Sequence, residues 1–130
     1  MLSEEESLQQ DPRLAVAVSL FNAQEWYEAH DRFEELWHET QGPVRPALQG
    51  VLQIAVAHLH LERRNQHGAT MLLGEGIGRL SRVGDEALGL DLGQLRLQAL
   101  DRLQRLQQGR SLEGCCPLHL GPVAASPSVH

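Results

Sequence analysis

The chain contains no lysine. Its eleven basic residues are all arginine, spread from Arg13 to Arg110, and seventeen carboxylates bring the formal net charge to -6. A nucleic-acid surface ordinarily shows as a basic stripe, and none is visible, so no affinity for DNA or RNA is expected. No window approaches the roughly eighteen consecutive apolar residues that a membrane span needs. The opening MLSEEESLQQ is acidic and polar, where a signal peptide is basic and then apolar. A cytoplasmic protein without a membrane partner is the expectation.

Cysteine is scarce as well. Cys115 and Cys116 are adjacent, and a bridge between neighbours closes a strained ring, so both are expected to be free thiols. With His119 they would make a weak three-ligand metal set on an irregular tail. No Gly-x-Ser-x-Gly elbow is present. GEGIG (Gly74 to Gly78) lacks the preceding strand and the spacing of a phosphate loop. Nowhere does a period-two alternation mark a strand, and at 130 residues the chain has room for one domain. The fold class is therefore all-α: a single compact bundle of about five helices, with an irregular C-terminal tail.

What is present is helical spacing. Residues 1–10 form an acidic lead-in expected to fray, 11–108 the helical domain, and 109–130 a Gly/Pro/Ser-rich irregular tail. Asp11-Pro12 is a cap followed by proline at the first helical position, and Leu14, Ala17, Val18 and Phe21 repeat at three and four. Asn22 with Glu25 has the form of a capping box that opens a second helix over 23–39, ended by Gly42 and Pro43. The third helix, with Pro43 and Pro46 in its first turn, runs to about Arg64. Its apolar arc is wide, so it is expected at the buried centre. A fourth helix spans about 68–83, with Gly74 and Gly78 on one face that could admit another helix. A loop covers 84–90, and a leucine-rich fifth helix capped by Asp91 reaches about Gln108.

All five aromatics (Phe21, Trp26, Tyr27, Phe33 and Trp37) precede residue 38, and they read as core more than as a ligand cage. Polar residues interrupt the same apolar region at helical spacing. His30, Glu34 and Trp37 share one side of the second helix; Gln49, Gln53 and His60 share one side of the third. A short connection makes the two an antiparallel pair, which places Glu34 near Gln49, His30 near Gln53, and His60 beside Phe21 and Ala23, with Trp37 closing the end. As structure, this seam is a buried hydrogen-bond network that sets helix register. As a site, His30 and Glu34 make a metal half-site that His60 or His58 could complete with a divalent ion, or an acid-base pair. The Glu-x-x-His signature of di-metal bundles is absent. His38, His58 and His67 are scattered and read as surface or boundary residues.

EWYEAHDRFEELW, ALQGVLQIAVAHLHL and RN-x-x-GA-x-x-LL, in that order, resemble the small helical family called domain of unknown function 309. The resemblance runs from Phe21 to Leu73 and is carried by Phe21, Asn22, His30, Glu34, Trp37, Gln49, Gly50, Gln53, His60, Asn65, Gly68 and Ala69. Arg64 stands where that pattern commonly has glycine, and Asp31 where it has glutamate. The resemblance implies a helical bundle and supplies no reaction. The functional expectation is a non-catalytic module binding a protein or small ligand, with self-pairing through Gly74/Gly78 or the fifth helix. The alternative is a metal-dependent or acid-base hydrolase in which Glu34 is the base and His30 and His60 hold a metal or polarise the substrate.

Overall fold

The computed structural model describes residues 1–123. Six helices follow one another: α1 (Glu4–Gln10), α2 (Pro12–Asn22), α3 (Trp26–Glu39), α4 (Arg45–Glu62), α5 (Gln66–Ser81) and α6 (Leu92–Gln107). A hairpin, β1 (Glu86–Ala87) with β2 (Leu90–Asp91), sits between the last two. The all-α class holds, with a two-residue hairpin as its one sheet among the described residues.

α4 is the central helix. It packs between α3 and α5, and ten of its residues are buried, from Ala47 to His58. Its wide apolar arc leaves no face that water could take without exposing aliphatic surface. The expected caps form at Asp11, whose carboxylate accepts from the Arg13 N–H, and at Asp91, which accepts from Gln94 N–H at 3.0 Å.

α2, α4 and α6 end in the same motif. Gln24 (φ 63°), Arg64 (φ 60°) and Gly109 (φ 69°) take the left-handed conformation, and the next residue donates back to the carbonyl of Leu20, His60 or Arg105. Glycine serves only the last. The turn that glycine would have eased at position 64 is thus made by arginine. Asn65 completes that turn and also caps α5, accepting from Gly68 N–H at 3.0 Å.

Three local expectations are corrected. The lead-in does not fray: Ser3 and Glu6 form a capping box, Leu8 is buried, and Glu4 accepts from the Gln41 and Gly42 amides. Asn22 does not cap α3, which starts at Trp26 with no side-chain cap; the Asn22 amide is turned to the backbone of Leu120. The 84–90 loop contains the hairpin, because Leu88 (φ 58°) and Gly89 (φ 70°) make the paired left-handed turn that matches strand twist. Through residue 123 the tail is irregular but held, since Leu118 and Leu120 are buried; its remainder, 124–130, lies outside the described residues.

The glycine face is also not the expected one. Gly76, not Gly74 or Gly78, meets another helix, and the partner is Gly50 of α4. A Cβ on Gly76 would stand 2.9 Å from the Gly50 carbonyl oxygen, and one on Gly50 would stand 3.0 Å from that of Gly76. Backbone cannot yield as a side chain can. Gly76→Ala is expected to destabilise by about 1–3 kcal/mol, despite the roughly 1 kcal/mol that alanine gains in a helix. Gly74→Ala and Gly78→Ala, which meet nothing within 4 Å, should stabilise slightly. Urea midpoints of the three variants test the contrast.

Candidate functional site

α3 carries a ladder at positions 30, 34 and 38, one helical turn apart. His30 Nε2 lies 2.7 Å from Glu34 Oε2, and His38 Nε2 lies 3.4 Å from Glu34 Oε1. The carboxylate is thus flanked by two imidazoles of its own helix. With its Nε2–H committed to Glu34, His30 leaves Nδ1 enclosed without a hydrogen-bond partner; Asp31 Oδ1, 3.4 Å away, is within ion-pair range but not aligned to bond. The ladder is half open to water, with the Glu34 side chain 41% exposed. Trp37 adjoins it, covered by the Arg45 guanidinium 4.2 Å above its ring, and its indole N–H is buried without a partner.

The residues expected opposite this ladder are turned elsewhere. Gln53 is buried and faces α5, not α3. Its amide donates to Glu75 Oε2 at 3.1 Å and accepts from Arg79 Nε at 3.1 Å. His60 pairs at 3.1 Å with Asn65, in the turn after α4. Gln49 is half-buried and makes no hydrogen bond to Glu34. The seam is therefore three separate groups: His30–Glu34–His38 on α3, Gln53–Glu75–Arg79 between α4 and α5, and His60–Asn65 at the end of α4. Among the described residues no three His, Cys, Asp or Glu side chains gather in a set that could hold a metal ion. His60 therefore does not join His30 and Glu34, and His119 does not join the two free thiols, of which Cys116 is exposed and Cys115 half-buried.

One residue read as peripheral is in the core. His58 is 6% exposed and lies against Trp26 with ring centroids 4.5 Å apart. Its Nδ1–H donates to the Ile54 carbonyl at 2.8 Å, which fixes the tautomer and leaves Nε2 buried without a partner. Burial pushes its pKa down to about 4, Arg102 adds repulsion, and the bond to Ile54 opposes both. The signal was available: His58 stands four residues after Ile54 and seven after Val51, on the deepest stripe of the helix. Glu75 and Arg79 were missed for a different reason, since nothing local says which neighbour a central helix will show them.

Chemically, a carboxylate held by two imidazoles can accept protons or bind a cationic group. Turnover also needs enclosed space for a substrate. None of the five main cavities of the described residues is lined by His30, Glu34, Trp37, Gln49, Gln53 or His60.

Residues 14–72 match the model of the family described as Domain of unknown function (DUF309). That segment comprises α2 almost entire, α3, α4 and the first half of α5, and so contains every seam position from His30 to His60. No curated protein matches the chain.

Proposed function

We propose that this chain, which belongs to the DUF309 family through residues 14–72, is a non-catalytic interaction module whose polar groups set helix register and whose surface binds a partner. The observation that carries this reading is the division of the seam into three separately bonded groups, none of them lining the main cavities among the described residues. Gln53 supports the structural role best: its one amide bonds both Glu75 and Arg79 across the central helix pair, which satisfies buried polar atoms and favours one register. The acidic balance and the absence of lysine support a partner other than nucleic acid. No helix among the described residues is long and apolar enough to cross a membrane, which fits a partner met in aqueous solution, and we place the protein in the cytoplasm.

Glu34→Gln and His30→Ala test the reading. Both sites are partly exposed, so each is expected to cost under about 1 kcal/mol, the range of solvent-screened pairs on one helix. Purified wild-type protein is expected to lack a stoichiometric metal and to show no esterase or phosphoesterase turnover that either variant abolishes. One equivalent of zinc, manganese or iron lost in both variants, or turnover lost with Glu34, would promote the hydrolase.

A further inference from the structure

Beyond α6 the chain turns at Gly109 and Gly114, both with positive φ, and then runs without helix from Cys115 to Val123. Side chains and a strand edge hold the main chain of this strap along its length. Arg102 of α6 donates to the Cys116 carbonyl. Gln98 of α6 donates to the His119 carbonyl and accepts from the His119 N–H, both at 3.0 Å. Asn22 of α2 does the same for Leu120, at 3.0 and 2.7 Å. The hairpin supplies the rest: Asp91 N–H donates to the Gly121 carbonyl, and the Gly89 carbonyl accepts from Val123 N–H, each at 2.9 Å. Leu118 and Leu120 are 2% and 1% exposed, while His119 between them faces out.

Protein grooves read extended peptides in this way. Amides and a strand edge take the main chain without regard to sequence, and pockets two residues apart take the side chains. Two further features set the strap apart from an ordinary last strand. Asn22 and Gln98 each satisfy both backbone groups of a single strap residue, so they substitute for a neighbouring strand that the fold does not supply. A cavity of about 370 Å³ also continues beside the strap, lined by Leu14, Val18, Leu88, Leu90, Leu120 and Pro122 among others. The resident residues leave that space unfilled.

We propose that the groove formed by α2, α6 and the hairpin is a docking site for an extended Leu-x-Leu segment of another protein, and that residues 116–123 occupy it as a resident ligand in cis. The inference rests on the interaction-module reading and names its partner class. A tethered segment competes at an effective concentration on the order of millimolar, so the intact chain binds an external segment weakly, and release of the strap exposes the site.

The test uses the full chain with a protease site inserted between Arg110 and Glu113, folded first and then cut. The probe is a fluorescent peptide of residues 116–123 with Cys116→Ser, followed by anisotropy. The cut protein should exchange its strap for the probe and bind at least tenfold more tightly than the uncut chain. A probe with Leu118→Asp and Leu120→Asp, or a groove with Asn22→Ala and Gln98→Ala, should bind at least tenfold more weakly. Leu118→Asp with Leu120→Asp in the uncut chain frees the groove by a second route and should raise probe affinity to a similar extent. Four results overturn the proposal: a strap that never exchanges, a body that loses its cooperative melt when the strap leaves, equal binding of the aspartate probe, or straps exchanged between two copies in a dimer. Failure here leaves the Glu34 and His30 measurements standing, since the polar partners of both residues lie on α3 and not on the strap.

Discussion

Phe21→Ala is expected to cost about 3–5 kcal/mol, the range for truncating a buried aromatic, and to lower the melting temperature by roughly 10 °C or more for a chain of this length. Phe21 is fully buried at the end of α2. It meets Trp26 edge-on at 5.1 Å between centroids (86°) and Phe33 edge-on at 6.4 Å (89°). Removing the ring therefore forfeits its own burial and two edge-to-face contacts, and opens a void where α2 meets α3. Trp26 and Phe33 are two turns apart on the one helix α3 and cannot both move in to close the gap. Tyr27→Ala is the control: that ring is 58% exposed, and its loss should change stability little. Urea unfolding of both variants decides the matter, and a Phe21 variant within about 1 kcal/mol of wild type would contradict the packing described.

Stability is expected to fall as pH drops from about 6.5 to about 4, by about 3 kcal/mol through His58 alone. Each pH unit between the unfolded and folded titration points contributes about 1.4 kcal/mol. In the unfolded chain the imidazole takes up its proton near 6.5; in the fold, burial between Trp26 and the α4 backbone holds it neutral down to about 4. Within that window the unfolded chain binds the proton that the folded chain refuses, so lowering pH favours unfolding. Above the window the stability is full, and below it the loss levels off. Asp11 and Glu39, held low by their bonds to Arg13, lose stabilisation at still lower pH. The measurement is therefore a difference: urea unfolding of wild type and His58→Phe between about pH 4 and 7.5. Phenylalanine keeps a ring against Trp26 without a titrating nitrogen. Parallel pH profiles for the two proteins would show that His58 is not the buried base described.

Periodicity and caps are local, and what they control was legible. Leu14, Ala17 and Phe21 mark α2, the uninterrupted apolar arc marks α4, and Asp91 starts α6 where its side chain can reach the third amide. Asn22 shows the limit. Its spacing to Glu25 fits a capping box, but the same amide finds both backbone groups of Leu120, ninety-eight residues away. A local rule ranks local partners only, and a distant pair of unsatisfied backbone groups can displace them.

The polar seam divides along the same line. That His30, Glu34 and His38 would meet follows from one helix geometry and needs no tertiary structure. Gln53 could face α3 or α5, because a central helix has neighbours on both sides. Gly50 and Gly76 decide it: their contact brings α5 close enough for Glu75 and Arg79 to take the amide. The strap is the extreme case. Its sequence, Cys115 to Val123, offers only one Leu-x-Leu alternation between two prolines, too short to specify an element. The strap's order comes from burial of Leu118 and Leu120 and from the bonds of Asn22, Gln98, Arg102 and the hairpin edge. The sequence by itself determined α2 to α6, the caps at Asp11 and Asp91 and the central place of α4, because those depend on residues within a few turns of one another. Tertiary structure alone decided which polar groups met and where the strap lay, because those depend on how closely backbones separated by tens of residues approach.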